Sequence, residues 1–383
     1  MDQVSTVNRW PCTACGADLT YAPGQTELVC PYCGQSQKIA PASAADKARA
    51  LGEVPLALGL AAAATGGAGA DAALSEEVRS TSCPSCGAVV EFAGATHATL
   101  CPFCATPVAV DTGSHRRLKP QALVPFVLTE AEARDALTRW LGSLWFAPNR
   151  LLEFTRKGRA MSGIYVPFWS FDADTASRYT GQRGEHYYET RMVSVQVDGK
   201  QQMREERVQK TRWHSASGRV ARFFDNILVM ASTSLPKDLG NGLTPWDLGK
   251  LEPYAPDYLA GFQAEGYTVS LPDGHAEARV RMVRVIEHDI RNDIGGDEQR
   301  ITSVNTEWRD ESFKHVLLPV WTAAYRYGGK SYRFVINGQT GKVRGQRPWS
   351  WVKIALAVLV VAALVLGAVY LNDPQTLGLA APE

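Results

Sequence analysis

All the cysteines of this 383-residue chain lie in C-x-x-C pairs, a spacing typical of metal ligands. The four pairs are Cys12 with Cys15, Cys30 with Cys33, Cys83 with Cys86, and Cys101 with Cys104. Four thiolates at such spacing favour Zn²⁺ in a closed tetrahedral site that leaves no position for water. We therefore predict two structural zinc ions, with redox-active dithiols or an iron–sulfur centre as alternatives.

The two cysteine groups are copies of one motif. Both read C-x2-C-x14-C-x2-C, and Cys12 corresponds to Cys83 at an offset of 71 residues. Gly16 and Gly87 follow the first pair, where the backbone turns around the sulfurs. The 14-residue spacer allows a hairpin to return the second pair to the same ion. This arrangement predicts two zinc ribbons.

Four aromatic residues lie within the ribbons: Tyr21, Tyr32, Phe92 and Phe103. We expect them either to contact a protein partner or to pack over the metal sites.

An apolar segment near the C-terminus predicts a membrane span. Residues 354–371 contain no charged residue over 18 positions. At about 1.5 Å per residue they reach roughly 27 Å, close to the ~30 Å hydrocarbon core of a bilayer. Trp349, Trp351 and Tyr370 lie where interfacial aromatic residues belong. A buried helix of a soluble core is the alternative.

Basic residues flank this segment on one side only. The residues before the segment include Lys342, Arg344, Arg347 and Lys353, whereas the tail at 373–383 has no basic residue. The positive-inside rule therefore predicts a single-pass protein of the inner (cytoplasmic) membrane, with its N-terminal part in the cytoplasm and its short tail outside. The first residues lack a basic region followed by an apolar core, so we expect no secretory signal peptide. A reducing cytoplasm would also keep the thiols available for zinc.

Between the ribbons and the span, the pattern predicts an antiparallel α+β body. Thr129 with Glu132 forms a capping box before a helical apolar repeat, and a second amphipathic helix ends at Gly295 and Gly296. Tight turns at Asp198–Gly199, Gly328–Gly329 and Asn337–Gly338 separate strand-like runs. "YVPFWSF" (165–171) and "LLPVWTA" (317–323) each follow a helix and lead into a hairpin. These runs indicate duplicated helix-plus-sheet units, unless the likeness arose by chance.

The chain is thus predicted to have an α+β fold with six segments. They are zinc ribbon 1 at 1–40, an Ala/Gly-rich linker at 41–80, zinc ribbon 2 at 81–112, the body at 113–347, the transmembrane helix at 348–372 and the external tail at 373–383.

The charge of the ribbons argues against a nucleic-acid partner. The whole chain has a net charge of +1, residues 1–40 carry two basic and three acidic residues, and residues 81–112 have no Lys or Arg. Each zinc with four thiolates adds a further negative charge, which would repel phosphates. A cluster of Arg116, Arg117 and Lys119 keeps a membrane-tethered nucleic-acid binder open as the alternative.

No catalytic motif was found, so we predict no enzyme. The chain lacks G-x-x-x-x-G-K-[ST], H-E-x-x-H and G-x-S-x-G. Several polar groups could bind a metal or a partner. Solvated surface positions are the favoured interpretation of the histidine and acidic groups, and an exposed strand explains the basic-aromatic stretch equally well. The groups are His186 with Glu185 and Glu189, His288 with Glu287 and Asp289, the acidic group Asp293, Asp297 and Glu298, and the basic-aromatic stretch Lys210, Arg212, Trp213 and His214.

The two ribbons, "GIYVPFWSFDAD", "KTRWHSASG", "PDYLAGFQAEGY", "DIGGDEQRI" and the terminal span together resemble a bacterial family. Its members carry transcription factor IIB-type zinc ribbons and are also described as relatives of primosomal protein N′ (replication factor Y). The chain lacks the phosphate loop of a helicase motor, so helicase activity is not expected. Some relatives resemble membrane components of phage-shock-type envelope stress systems. The resemblance implies a scaffold that recruits cytosolic or membrane protein partners to the bilayer.

Overall fold

A computed structural model describes most of the chain: residues 10–64, 75–85, 87–91, 98–101, 103, 106–109, 114–146, 161–197, 200–327, 330–346 and 350–372. The helices are α1 (Ala44–Leu51), α2 (Leu56–Ala64), α3 (Glu130–Gly142), α4 (Lys237–Asn241), α5 (Leu271–Ile294) and α6 (Trp351–Asn372). The first strands are β1 (Thr20–Tyr21), β2 (Glu27–Val29), β3 (Ser36–Lys38), β4 (Val54–Pro55), β5 (Ser75–Ser82), β6 (Val89–Glu91), β7 (Ala98–Leu100), β8 (Pro107–Ala109), β9 (Ser114–Leu118) and β10 (Ala122–Leu123). The later strands are β11 (Ser162–Val197), β12 (Lys200–Met230), β13 (Glu252–Pro253), β14 (Gln263–Ala264), β15 (Glu298–Tyr327), β16 (Lys330–Asn337) and β17 (Val343–Gly345).

A large mixed sheet forms the centre of the body. Its strands follow the order β12-β11-β15-β10-β13, with β16 beside β15 and β17 beside β16. The long strands pair antiparallel, as predicted, but β10 runs parallel to β15 and β14 parallel to β11. The prediction of a wholly antiparallel body was therefore wrong for these short strands, which lie far in sequence from the strands they join.

The sheet extends into a long arm. Strand β11 has 36 residues, or about 120 Å at ~3.3 Å per residue. Its pairing with β15 begins at Ser162↔Thr322 and ends at Gly184↔Glu298. Beyond that point only β12 pairs with it among the described strands. We call residues 185–197 and 200–212 the two-stranded arm.

The two predicted helices form where the sequence places their ends. The Thr129 hydroxyl accepts a hydrogen bond from the Glu132 N–H at 3.3 Å, and the Glu132 carboxylate accepts one from the Thr129 N–H at 2.8 Å. Helix α5 stops at Gly295, whose φ of 64° favours glycine. One stripe of α5 is buried: Leu271, Gly274, Ala278, Met282, Ile286, Ile290 and Ile294. This spacing of three or four residues fixes which face of the helix meets the sheet.

Helices cover one face of the sheet in two places. Helix α3 and the first ribbon share a core with Leu317 and Phe334, whereas α5 and α2 share another core with Trp169 and Phe313. The Trp169 ring is fully buried and its Nε1 donates to the Val269 carbonyl at 2.9 Å. The opposite face packs against Cys83, Phe103 and the α4 region.

Part of the predicted linker belongs to the packed body. Residues 44–64 form α1, β4 and α2, and Val54 pairs with Phe313 of β15. Leu56 and Ala62 are buried, and a Cβ on Gly59 would lie only 2.1 Å from the Phe313 ring. The Ala-rich composition that suggested a linker instead permits close packing against the sheet. The other segment boundaries stay predictions.

The two copies of the proposed repeat are neighbours in the sheet. Val166 pairs with Leu318, which is its equivalent in the other copy. On either side, Tyr165 pairs with Pro319, the equivalent of Pro167, and Pro167 pairs with Leu317, the equivalent of Tyr165. This register is symmetric about the Val166–Leu318 pair. A shared origin of two helix-plus-sheet units stays a prediction.

One helix near the C-terminus is long and apolar enough to span a membrane. The window Trp351–Ala368 has a mean hydropathy of 2.5, and 0% of it is buried within the protein. It therefore does not have the surroundings of a soluble core helix.

Candidate metal centre

Four sulfurs of the first ribbon converge on one point. The Sγ atoms of Cys12, Cys15, Cys30 and Cys33 all lie within 4.8 Å of one another. The separations are 3.5 Å from Cys12 to Cys33 and 3.5 Å from Cys15 to Cys30. A tetrahedral site with Zn–S bonds of about 2.3 Å requires sulfurs about 3.8 Å apart. The cluster therefore fits one zinc ion with small adjustments.

Each knuckle of this ribbon has the same backbone turn. The Cys12 N–H donates to the Ala17 carbonyl at 2.7 Å, and the Gly16 N–H donates to the Cys12 carbonyl at 2.8 Å. Gly16 has a φ of 74°, and Gly34 in the second knuckle has a φ of 76°. Residues with a Cβ adopt this conformation at a cost, which explains the glycine after each pair.

The short antiparallel pairing of β1 with β2 returns the chain to the metal, with Thr20 opposite Val29. This is the hairpin that the 14-residue spacer predicted.

The pKa values of the thiols in this cluster are shifted in opposite directions. The backbone N–H of Cys33 lowers the pKa of Cys30 to about 6, although burial opposes the shift. The backbone N–H of Gln35 lowers the pKa of Cys33, but the sulfurs of Cys12 and Cys30 outweigh it and raise that pKa to about 12. Four adjacent thiolates repel one another, and a divalent cation would remove this repulsion and hold all four ionised.

The second ribbon is described only in part. Cys83 and Cys101 are buried in one apolar cluster, whereas Cys86 and Cys104 lie outside the described residues. The distances among the four sulfurs of the second ribbon therefore lie outside the described structure.

The described knuckles of the second ribbon repeat the turn of the first. The Cys83 N–H donates to the Ala88 carbonyl at 2.7 Å, and the Cys101 N–H donates to the Thr106 carbonyl at 2.8 Å. Gly87 has a φ of 73°, as Gly16 does at its equivalent position. The backbone here matches the one that presents sulfur in the first ribbon.

The first ribbon is fixed to the body rather than suspended from it. The Tyr21 N–H donates to the Ala260 carbonyl at 2.9 Å, and the Gly24 N–H donates to the Phe126 carbonyl at 2.9 Å. The Tyr21 ring meets Tyr258 edge to face at 5.3 Å. This interface positions the Cys₄ cluster relative to the sheet.

The aromatic residues of the ribbons separate into two groups. Tyr21 is only 4% exposed and Phe103 is buried, so neither presents a contact surface. Tyr32 is 82% exposed and lies between Cys30 and Cys33. Phe92 lies outside the described residues. Of the described members, Tyr32 has the exposure that a contact residue requires.

The histidine clusters are polar networks of the surface. Nε2 of His186 lies 2.8 Å from Glu298, and its Nδ1 lies 2.7 Å from the side-chain amide of Gln209. Both ring nitrogens therefore have protein partners. Beside His288, Asp289 binds Arg222 at 2.6 Å and Glu287 binds Arg291 at 3.3 Å. Neither histidine is part of a metal-binding cluster in the described structure.

The acidic group at the end of α5 also has partners within the protein. Asp293 accepts a hydrogen bond from the Tyr179 hydroxyl at 2.6 Å, and Asp297 accepts one from the His186 N–H at 2.7 Å. Both contacts join the end of α5 to the sheet.

The basic-aromatic stretch lies on the exposed strand β12. Lys210 pairs with Glu189, Arg212 stacks over Tyr187 at 5.0 Å, and Trp213 lies under Arg300 at 3.9 Å. His214 lies 3.9 Å from Glu185. All four side chains thus contact residues of neighbouring strands.

One member of the cluster that suggested nucleic-acid binding contacts the body. Arg117 donates to the Tyr267 carbonyl at 3.1 Å and stacks over the Tyr267 ring. Lys119 is exposed and lies 5.8 Å from the Tyr254 ring, and the Arg116 side chain is not described. A nucleic-acid partner stays the alternative.

Sequence reasoning missed a partly buried ionic group on the sheet, in which Asp172 and Lys314 are buried and Glu53 and Asp225 are exposed. Oxygens of Glu53, Asp172 and Asp225 lie within 4.8 Å of one another, and Lys314 lies 3.5 Å from Glu53 and 4.0 Å from Asp172. Burial raises the pKa of Asp172 to about 6, although the Asn226 N–H and Lys314 oppose the shift. Its members are far apart in sequence, so no local pattern reveals the group.

We expect the stability of the protein to fall as pH rises from about 4 to about 6 at this site. The pKa of Asp172 is about 6 in the folded protein against a reference of 3.8, so the folded state holds the proton more tightly over that range. The effect should be about 1–3 kcal/mol. D172N should remove it, measured as the pH dependence of the unfolding midpoint in detergent. D225N, at an exposed carboxylate of the same group, should retain most of the wild-type slope, because Asp225 raises the pKa of Asp172 less than burial does. Equal slopes in all three proteins would contradict the assignment.

Comparison with known proteins gives one distant relative. The chain is 27% identical over 240 residues to the protein named uncharacterized protein YdjG of Bacillus subtilis (strain 168). The match covers 61% of this chain and 65% of that protein, so it extends over less than two thirds of the relative. No family model matches the chain, and no solved structure matches it.

Proposed function

We propose that the protein is a non-enzymatic scaffold that is anchored in the membrane and binds protein partners. The observation that carries the proposal is a closed Cys₄ cluster whose ribbon is bound to the sheet on one side and exposed on the other. Tyr21 packs on the body, whereas Cys15, Tyr32 and Cys33 face outward. A metal with four protein ligands has no position for a substrate, so it stabilises a surface rather than a reaction.

The two-stranded arm supports protein binding independently. An isolated two-stranded hairpin is marginally stable in water. Tyr188, Met192 and Met203 are all more than half exposed on the arm. They share one face of the hairpin. Tyr188, Met192 and Ser194 are separated by even numbers of residues on β11 and so point to the same side, and Met203 lies directly opposite Ser194. Aromatic and Met side chains adapt well to protein surfaces, so this face fits a partner protein.

The proposal includes a second zinc ion in the second ribbon. The repeated Cys knuckle turns at Cys83 and Cys101 support it, as does the equal spacing of the two motifs. Both ions would be structural.

We further propose an inner-membrane protein whose ribbons and body lie in the cytoplasm. Helix α6 supplies the span, and Lys342, Arg344 and Lys353 lie near its N-terminal end. Positive residues favour the cytoplasmic side of a span. The resemblance to envelope-stress components supports a role in recruiting cytosolic proteins to this membrane.

Photo-crosslinking in intact cells tests the proposal. A benzophenone amino acid replaces Tyr32 or Tyr188 in the full chain, and adducts are identified by mass spectrometry. We expect a discrete protein adduct at one or both positions. No protein adduct at either position, with the variants present in membranes, would contradict a scaffold role.

A surface triple variant sharpens the experiment. Y188A/M192A/M203A removes the apolar face of the arm and should lower the yield of the Tyr32 adduct if the same partner contacts both surfaces. The matched control is V280A/V283A/V285A, which removes three exposed apolar side chains from α5. The control should leave the yield unchanged.

A further inference from the structure

The end of α3 is joined to the start of α6. The Ser350 N–H donates to the Phe146 carbonyl at 2.8 Å, and the Ser350 carbonyl accepts from the Ile354 N–H at 3.0 Å. Ser350, which directly precedes α6, is thus hydrogen-bonded to Phe146, which lies four positions beyond the end of α3. Both must lie at the same depth relative to a bilayer.

Phe146 continues this junction with its side chain. Together with Ile354, Ala357, Val358 and other residues of α6, it lines a groove formed only by apolar side chains. In a membrane such a groove accommodates lipid acyl chains, because its apolar side chains offer water no hydrogen-bond partner.

The position of Trp145 is determined by the core of the body. Leu137 and Leu141 of α3 are buried, and Trp140 meets Phe334 edge to face at 5.7 Å. The Leu144 N–H donates to the Leu141 carbonyl at 3.2 Å, so the chain stays ordered to the end of the helix. Trp145 itself is 84% exposed, as is Trp351 at 79%.

We infer that Trp145 and Phe146 form a second membrane contact, inserted in the lipid headgroup region beside the span. A Trp ring is favoured there, since its apolar body meets lipid and its N–H stays hydrated. The bilayer is the occupant that the structure supports, because Phe146 lies beside a helix whose apolar window has no buried residue in the described protein. The inference rests on the proposed membrane anchorage.

The consequence is a restricted orientation of the body. A single span on a flexible connection lets a domain rotate freely, whereas a second contact beside the span restricts that rotation. The first ribbon shares a packed core with α3. Its proposed zinc site and Tyr32 are therefore held within a limited range of distances from the membrane surface.

Lipid crosslinking tests the contact in the full chain. The protein is placed in nanodiscs of phosphatidylcholine and phosphatidylglycerol with a benzophenone amino acid at Trp145, at Leu356 within the span, or at the exposed Phe223 of β12. We expect lipid adducts at positions 145 and 356 and none at 223. Adducts at 356 without adducts at 145 would overturn the inference and leave the span intact. No adducts at 356 would instead contradict the anchorage itself.

Tryptophan quenching tests the same contact without the apolar benzophenone side chain. Lipids brominated near the headgroup end of their acyl chains quench nearby indole fluorescence. The difference in emission between the wild-type protein and W145F should be strongly quenched in these nanodiscs relative to unbrominated ones. If wild type and W145F lose the same absolute emission to bromine, the contact does not exist.

Discussion

C12S/C15S will halve the zinc content of the purified protein and unfold its first ribbon. Two of the four sulfurs around the proposed ion are removed, and structural zinc in small ribbons contributes about 10–16 kcal/mol to folding at neutral pH. The ribbon buries few apolar side chains of its own, chiefly Leu19 and Leu28. A segment of this size seldom folds without a metal.

The loss should extend beyond the metal. Tyr21 packs against Tyr258 and Phe262, so an unfolded ribbon would expose this part of the body. We expect a lower unfolding temperature and protease cleavage between β1 and β3. The effect on the body should be smaller than the effect on the ribbon, because the large sheet is held by its own strands.

Metal analysis by mass spectrometry checks the prediction. Wild type should contain two zinc ions per chain, C12S/C15S one, and C83S/C86S one. The matched control is T13S/A14S, which changes two exposed residues of the same knuckle to serine and keeps all the sulfurs. Zinc content that is equal in C12S/C15S and wild type would refute the site. A wild type with one ion that is lost in C12S/C15S would retain the first site and reject the second.

Local features were predictable from the sequence for a local reason. A knuckle turn depends on a few adjacent residues, so Cys12, Cys15 and Gly16 reveal it at once. Helix ends are equally local: the reciprocal bonds of Thr129 and Glu132 depend on a separation of three residues. Hairpin pairing follows from a turn, and Val197 does pair with Lys200 across the predicted one.

Features that join distant segments were not predictable in this way. The ionic group joins Glu53 of the assumed linker to Asp172 and Lys314, and no spacing in the sequence links them. The parallel pairing of Ala122 with Val316 has the same character. The Ala/Gly composition of residues 44–64 suggested little to bury, yet small side chains are what allow a helix to approach Phe313 closely. Composition indicates how much surface a segment can bury, but the partner decides whether it packs.

The body also changes the interpretation of the ribbons. From the sequence they are two protein-contacting modules separated by a linker. The hydrogen bonds of Tyr21 and Gly24 to the body hold the first ribbon in one geometry. Binding energy is then not spent on ordering the ribbon, which favours recognition by a partner of fixed shape.

Charging the middle of α6 should release the protein from the membrane. In V358K/V361K both lysines lie near the centre of the apolar window, where each costs about 2.5–3.5 kcal/mol to insert. Together they oppose insertion by about 5–7 kcal/mol, roughly a 10⁴-fold change in partition. The measurement is the fraction of protein that sediments with membranes after an alkaline wash.

The matched control is V280K/V283K, which places the same two lysines on exposed positions of α5. Those positions face away from the sheet, so the control should stay in the membrane fraction. Release of V358K/V361K alone would show that α6 is held by hydrocarbon, since neither valine is buried within the described protein. If both variants sediment as wild type does, the attachment lies outside α6, and the orientation argued from Phe146 and Ser350 loses its basis.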